Sequence, residues 1–459
     1  MFRIHSGTTG RYCDGMTRRS FVQLGVAGMA SVGLPQLLRA KEASAGRGAA
    51  KNDTRVILLW LDGGPGHMDM YDMKPEAPAE YRGLWNPIRT NVPGIEISEL
   101  FPRQAKIADK FSIIRSLHHD TGDHFTGGHF MLTSRGGVSG GNNAGRYPSI
   151  GAIATKVLGP RNQGMPPYVA VPIAATIGLR PGYFGANYLG MSHNPFETNG
   201  NPNDANFQVG NIQLPGPMTI DRLSDRRGLL AHFDRLRRDV DHSGAMDSMD
   251  RFDRKAYDMV AGGAARKAFD LSLEDDATRD RYGRNPWGQS TLLARRLAEA
   301  GTTWVSVHMG GWDNHWDLKN AMENYLPRID MLLSSLLTDL SDRGLLESTL
   351  VIMCGEFSRT PRMNDGGNGG PPGSMGTPGR DHWGNAMFTL LAGGGIQGGR
   401  IVGSTNRLGE VPKDRPVEPC DLHATIYRQL GIDPSIHFLD HAGRPVPAID
   451  RGEVIGELL

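Results

Sequence analysis

Carboxylates and imidazoles gather at the ends of apolar runs in this chain. Asp62 closes the run Val56 to Leu61, and Asp313 and His315 lie just beyond Thr302 to Val307. Glu356 follows Thr349 to Cys354, and His382 sits in the loop ahead of Met387 to Leu391. His118, His119, Asp120, Asp123, His124 and His129 crowd together after Phe111 to Leu117, with Thr126 among them. Carboxylate and imidazole in one set are ligands for zinc, manganese or iron, whereas calcium favours oxygen alone. The set Asp62, Asp313, His315, Glu356 and His382 could hold one divalent ion or two, with Zn or Mn the best match. Two ions ~4 Å apart stabilise both the attacking and the leaving oxygen in a displacement at phosphorus. Arg359 and Arg380 flank these residues and could grip an oxyanion bidentately. The same residue types also cap helices and pair with arginines, so their placement by the fold decides between the two uses.

The runs that carry these residues have the pattern of strands. Val56 to Leu61 is apolar throughout, as in a strand buried on both faces of a parallel sheet. Gly63, Gly64 and Pro65 then turn the chain, leaving Asp62 at the carboxyl edge of the sheet, where α/β folds bind ligands. Further strands are expected at Phe111 to Leu117, Val169 to Ile173, Thr302 to Val307, Thr349 to Cys354 and Met387 to Leu391. Between them the spacing predicts helices: Phe101 to Lys110, Leu292 to Ala300 ending at Gly301, and an amphipathic helix through Met322, Leu326, Ile329, Leu333 and Leu340 that closes at Gly344. Residues 221–300 read as a mainly helical insertion, where Leu229, Leu230, Phe233, Leu236 and Val240, then Met246, Met249, Phe252, Ala256 and Met259, recur at helical intervals. The methionines there are core filling rather than a cofactor site. Asp421 opens one more helix and has the position of a capping residue. Strands alternating with helices predict a doubly wound α/β fold, a mostly parallel sheet with helices on both faces.

Charge and addressing narrow the function. Lysine and arginine number 50 against 49 acidic residues, a net charge of +1 that gives no field to attract nucleic acid or an anionic membrane. Thr17-Arg18-Arg19-Ser20-Phe21, the apolar run Leu24 to Leu34 and Ala43-Ser44-Ala45 follow the order of a twin-arginine signal peptide over residues 1–45. The twin-arginine translocon is therefore an expected partner, and 46–459 is the expected mature domain, periplasmic or extracellular. No stretch of the mature chain reaches the roughly 20 apolar residues of a membrane span. Cys354 and Cys420 read as a buried small hydrophobe and a residue preceding a helix; a bridge between them is the alternative.

In order along the chain, VILLWLDGG, FMLTSRG, WDNH, VIMCGEF and DHWGNAMFTLLAGGGIQGG resemble the alkaline phosphatase-like superfamily, which includes sulfatases, nucleotide pyrophosphatases and phosphoglycerate mutases. More closely, the twin-arginine leader with LDGGP, GWDNH, GEFSRTP and GRDHW resembles a bacterial exported family labelled domain of unknown function 1501. The resemblance implies that Asp62 is the first metal aspartate and His382 the late metal histidine. Asp313 and His315 resemble the pair of the other metal site, at a narrower spacing. Glu356 stands for the aspartate of the late Asp-His or Asp-Asn pair, with Phe357 where the second ligand belongs. The nucleophile's position holds His124, with Thr126 displaced from it, and no cysteine lies in the motif, which argues against a formylglycine mechanism. Three routes stay open: a histidine nucleophile, attack by metal-activated water, or loss of hydrolysis. His119, His124 and His129 could instead add ligands. The expected function is an exported metal-dependent hydrolase of phosphate or sulfate esters, on a small-molecule or polysaccharide substrate. The alternative is a catalytically silent binding or scaffold protein of the cell envelope.

Overall fold

The computed structural model describes residues 53–136, 146–212, 219, 221–226, 257, 259–260, 262–367 and 371–459. The signal peptide expected at 1–45 and the apolar pattern from Leu229 to Ala256 lie outside the described residues. The strands of the main sheet are β1 (Arg55–Asp62), β2 (Phe111–Leu117), β3 (Tyr168–Val171), β4 (Phe196–Glu197), β5 (Trp304–Gly310), β6 (Thr349–Cys354), β7 (Met387–Ala392) and β8 (Ile401–Val402). They lie in the order β8-β2-β7-β6-β1-β5-β3-β4. β7 runs antiparallel to both neighbours, and every other adjacent pair is parallel. The fold is thus the expected α/β type with a mostly parallel sheet.

β1 lies near the middle of the sheet, and its apolar run serves both faces. Ile57, Leu59 and Leu61 pack with Val305 and Val307 and with Leu293, Leu297, Ile329 and Leu333 from helices α4 (Pro286–Ala300) and α5 (Leu318–Asp342). Val56, Leu58 and Trp60 face the opposite layer, with Leu350 and Ile352 and with Ile153, Ile426 and Tyr427 from α3 (Ile150–Leu158) and α6 (Pro419–Leu430). A side-chain period of two with apolar residues on both phases explains this double burial.

Local chemistry sets the ends of the elements. Asn285 caps α4 by accepting a hydrogen bond from the Gly288 amide, and Gly301 ends it in the left-handed region at φ 106°. Glu418 and Asp421 form a reciprocal capping box on α6, in keeping with a structural role for Asp421. Two expectations need correction. Phe101 to Lys110 holds two 3-10 turns, Gln104–Lys106 and Ala108–Lys110, instead of one helix. The third strand ends at Val171 because Pro172 has no amide to continue a ladder. Cys354 and Cys420 are both buried free thiols, so no bridge joins them. Among the described residues no helix is long and apolar enough to cross a membrane.

Candidate metal centre

Strands β6, β1 and β5 are neighbours, and Trp60 is in register with Cys354 on one side and His308 on the other. Their carboxyl ends therefore deliver Glu356, Asp62 and Asp313 to one edge of the sheet. Helix α2 (His124–Thr133) begins at that edge after β2, with Asp123 as its cap. His382 reaches the same edge by a different route. It precedes β7, and because β7 runs backwards its amino end lies beside the carboxyl ends of the others. The turn after Asp62, which leads into the short helix α1 (His67–Met70), is held by Gly63 at φ 115°, where an added Cβ would stand 2.5 Å from the Asp313 amide nitrogen. Only glycine fits that conformation and that approach.

Asp313 is the hub of the site. Its Oδ1 lies 2.6 Å from Arg359 Nη2, 3.0 Å from His315 Nε2 and 3.1 Å from His382 Nε2, and its Oδ2 lies 3.4 Å from His124 Nε2. The Nε2 atoms of His315 and His382 are 3.0 Å apart. All three imidazoles have their other nitrogen engaged by an acceptor. His315 Nδ1 donates to Asp381 Oδ1 at 2.8 Å, His382 Nδ1 to the Gly122 carbonyl at 2.6 Å and His124 Nδ1 to Glu356 Oε1 at 2.7 Å. A neutral imidazole that donates from Nδ1 carries its lone pair on Nε2. Three such lone pairs and a carboxylate thus converge, each ring oriented by an acceptor behind it, as around bound metals. Tetrahedral zinc with bonds of ~2.0–2.1 Å sets its ligand atoms about 3.3 Å apart, close to the separations seen here. The donor set fits a divalent ion, and the ligand atoms of His124, Asp313 and His382 all lie within 4.8 Å of one another.

Protons serve the same attraction when no cation is bound. Burial lowers the His124 imidazole, but its hydrogen bonds to Asp313 and Glu356 outweigh this and hold it at about 9. Burial raises the Asp313 carboxyl, yet hydrogen bonds from His124, His315 and His382 take it well below the usual carboxylate range. His315 is raised mainly by Asp313, and His382 is lowered mainly by burial. An entering ion must displace these protons.

A second pair of carboxylates adjoins the hub. Glu356 Oε1 accepts from the Gly63 amide at 2.9 Å as well as from His124, while its Oε2 is buried without a hydrogen-bond partner. Asp62 Oδ2 accepts from His308 Nε2 at 2.9 Å and from the Ile177 amide at 2.8 Å, and its Oδ1 is likewise buried without a partner. Burial, offset in part by His124 and reinforced by the Asp62 charge, raises the Glu356 carboxyl. Of the ligands read from sequence, Asp313, His315 and His382 are in direct mutual contact. Glu356 joins them through His124, and Asp62 adjoins them through the Gly63 turn and through its carbonyl, which accepts from the Trp312 amide at 3.1 Å. Phe357 walls the site, its ring centroid 4.7 Å from that of His124 and 4.6 Å from that of His382.

The arginines are placed otherwise than expected. Arg359 is buried and donates to the carbonyls of Gly63, Gly64 and Arg380 and to Asp313, so it fastens the loops instead of facing an oxyanion. Arg380 is buried against Asp69, with Nε to Oδ2 at 3.0 Å and Nη2 to Oδ1 at 3.2 Å, and also donates to the Thr360 and Pro361 carbonyls. Thr126 Oγ1 donates to Asp123 Oδ1 at 2.7 Å in the helix cap. His119 Nε2 donates to the Glu356 carbonyl at 2.6 Å, and His129 Nδ1 to the Arg135 carbonyl at 2.8 Å, so neither points its donor into the cluster. Two residues outside the expected set, Asp381 and His308, orient members of it. Asp381 adjoins His382 in the sequence, and His308 directly follows the expected strand Thr302 to Val307, the position that signals it.

A family model described as "Protein of unknown function (DUF1501)" matches residues 53–459. No curated protein matches the chain. Among solved structures, the chain is similar to the PsFucS1 sulfatase from Pseudoalteromonas sp., with 15% identity and a TM-score of 0.35 over 86% of this chain and 70% of that one. It is also similar to the lipoteichoic acid synthase LtaP from Listeria monocytogenes, with 9% identity and a TM-score of 0.39 over 84% and 74%. A third is the C-terminal periplasmic domain of EcEptC from Escherichia coli in complex with Zn, with 11% identity and a TM-score of 0.34 over 84% and 86%.

Proposed function

The chain belongs to the DUF1501 family of proteins of unknown function, and from that starting point we propose that it is an exported, metal-dependent hydrolase of phosphate or sulfate esters. The observation that carries this reading is the gathering of the ligand atoms of His124, Asp313 and His382 within 4.8 Å of one another, with His315 Nε2 3.0 Å from both Asp313 Oδ1 and His382 Nε2, and with each ring held from behind by an acceptor. A divalent ion, zinc or manganese, supplies Lewis acidity at the ester oxygen and lowers the pKa of an attacking water. The residues around it do the positioning. Arg359 fixes Asp313, Asp381 fixes His315, and the Gly122 carbonyl fixes His382. Glu356 and Asp62 keep unpartnered oxygens where a proton from water or a second cation can be held. The leader at residues 1–45 supports export through the twin-arginine route. A binding or scaffold role is the second reading, favoured by the engagement of both His124 and Thr126 with carboxylates.

Metal analysis of protein purified without chelator, combined with assays on phosphate monoesters, phosphate diesters and sulfate esters, tests the proposal. Bound zinc or manganese with metal-dependent turnover of one ester class is the expected result. Absence of metal together with absence of turnover refutes it, and stoichiometric metal without turnover favours the binding reading.

A further inference from the structure

Resting on the metal-hydrolase reading, we infer that His124 is a metal ligand and not the attacking group, so that the ester is cleaved by water in a single displacement with no covalent enzyme intermediate. His124 opens α2, the place where the sequence resemblance puts a nucleophile. A nucleophilic imidazole must present a free nitrogen to substrate phosphorus or sulfur. Here Nδ1 is occupied by Glu356 at 2.7 Å, and the fully buried Glu356 carboxylate is itself fixed by the Gly63 amide. The ring is confined between Phe357 and His382, with centroids at 4.7 Å and 4.4 Å. Its Nε2 is buried and faces Asp313 Oδ2 at 3.4 Å, among the ligand atoms. An atom so placed is aimed at what Asp313 and His382 bind. The residues that would hold the ion become the imidazoles of His124, His315 and His382 with the Asp313 carboxylate, and a bound ion would supply Lewis acidity there.

The step balances without a group carried on the protein. The water oxygen forms the new bond to phosphorus or sulfur while the bond to the alcohol oxygen breaks, and the alcohol leaves with a proton that the water gives up. The products are the alcohol and inorganic phosphate or sulfate, and no atom changes oxidation state.

Three measurements test this on the full mature chain. Zn²⁺ titration against a competing chelator should show His124→Gln binding at least about tenfold more weakly than wild type, the scale of even outer-shell losses at metal sites. X-ray absorption of the zinc-loaded wild type, which does not depend on any variant folding, should count three imidazoles. With whichever ester is turned over, isotopically chiral phosphate or sulfate should be released with inversion. Equal Zn²⁺ affinity in His124→Gln, two imidazoles, or retention of configuration each overturns the role of His124 while leaving the hydrolase reading intact. A wild-type protein that binds neither Zn²⁺ nor Mn²⁺ overturns the hydrolase reading and this inference with it.

Discussion

Asp69→Asn should destabilise the fold without acting through substrate. Asp69 and Arg380 are both fully buried and joined by two hydrogen bonds, so the substitution leaves a guanidinium charge inside the protein with its counter-charge removed. Breaking a buried pair from one side costs about 3–5 kcal/mol. Arg380 keeps the carbonyls of Thr360, Pro361 and Tyr81, which places the expected loss near the lower end, at about 3 kcal/mol. For a unit of about 400 residues, an unfolding entropy of ~2.1 cal/mol/K per residue amounts to roughly 0.8 kcal/mol per degree, so the melting temperature should fall by about 4 °C. Urea and thermal melts of the metal-free protein measure this. The paired change Asp69→Leu with Arg380→Met should recover most of the loss, since an apolar pair replaces the ions together. A single substitution that is neutral within about 1 kcal/mol, or that leaves stability alone and raises KM for an ester, refutes the structural role of Arg380 and revives the oxyanion clamp.

Asp381→Asn should weaken Zn²⁺ binding about 10- to 100-fold by releasing the His315 ring, and an unchanged affinity in chelator competition removes Asp381 from the site. Gly63→Ala should both destabilise the protein and weaken Zn²⁺ binding, because its Cβ would press on the Asp313 amide; equal melting and equal affinity would show that the turn tolerates a side chain. Stability should fall with acid through His423 and His129, whose imidazoles burial drives down to about 4. The unfolded chain takes up these protons near 6.5 and the folded chain does not. Their contribution is therefore present above pH 6.5 and is lost as pH falls toward 4, at roughly 1.4 kcal/mol per pH unit for each histidine. Replacing His423 with Gln should flatten that slope by one histidine's share, as read from urea midpoints at pH 4 to 7. Arg18→Lys with Arg19→Lys should hold the protein in the cytoplasm, and continued export on fractionation would show a different route.

The strands were legible because burial on both faces leaves an uninterrupted apolar run, as in Val56 to Leu61 and Thr349 to Cys354. The polar residue that ends such a run was a sound guide to the sheet edge. The direction of a strand is not written in its composition, so the antiparallel course of β7, which brings in Asp381 and His382, had to come from the structure. The arginines misled for a related reason. Arg359 and Arg380 look like anion ligands beside a metal motif, yet their partners are mostly backbone carbonyls exposed by the turns at Gly63 and Thr360, and every residue type carries those. His308 directly follows the expected strand Thr302 to Val307, but the strand continues to Gly310, so His308 lies inside the ladder and meets Asp62 from the neighbouring strand.

Arg359 donates to the backbone of the Gly63 turn and of the Arg380 loop, and its side-chain contacts are the Asp313 carboxylate and the Phe357 ring. A fastening made to main chain survives most changes in the residues that own that main chain. The strand-end loops can accordingly exchange outward side chains while the spacing of Asp313, His315 and His382 stays the same. One buried guanidinium in this way makes the geometry around Asp313 independent of the side chains that the neighbouring loops carry.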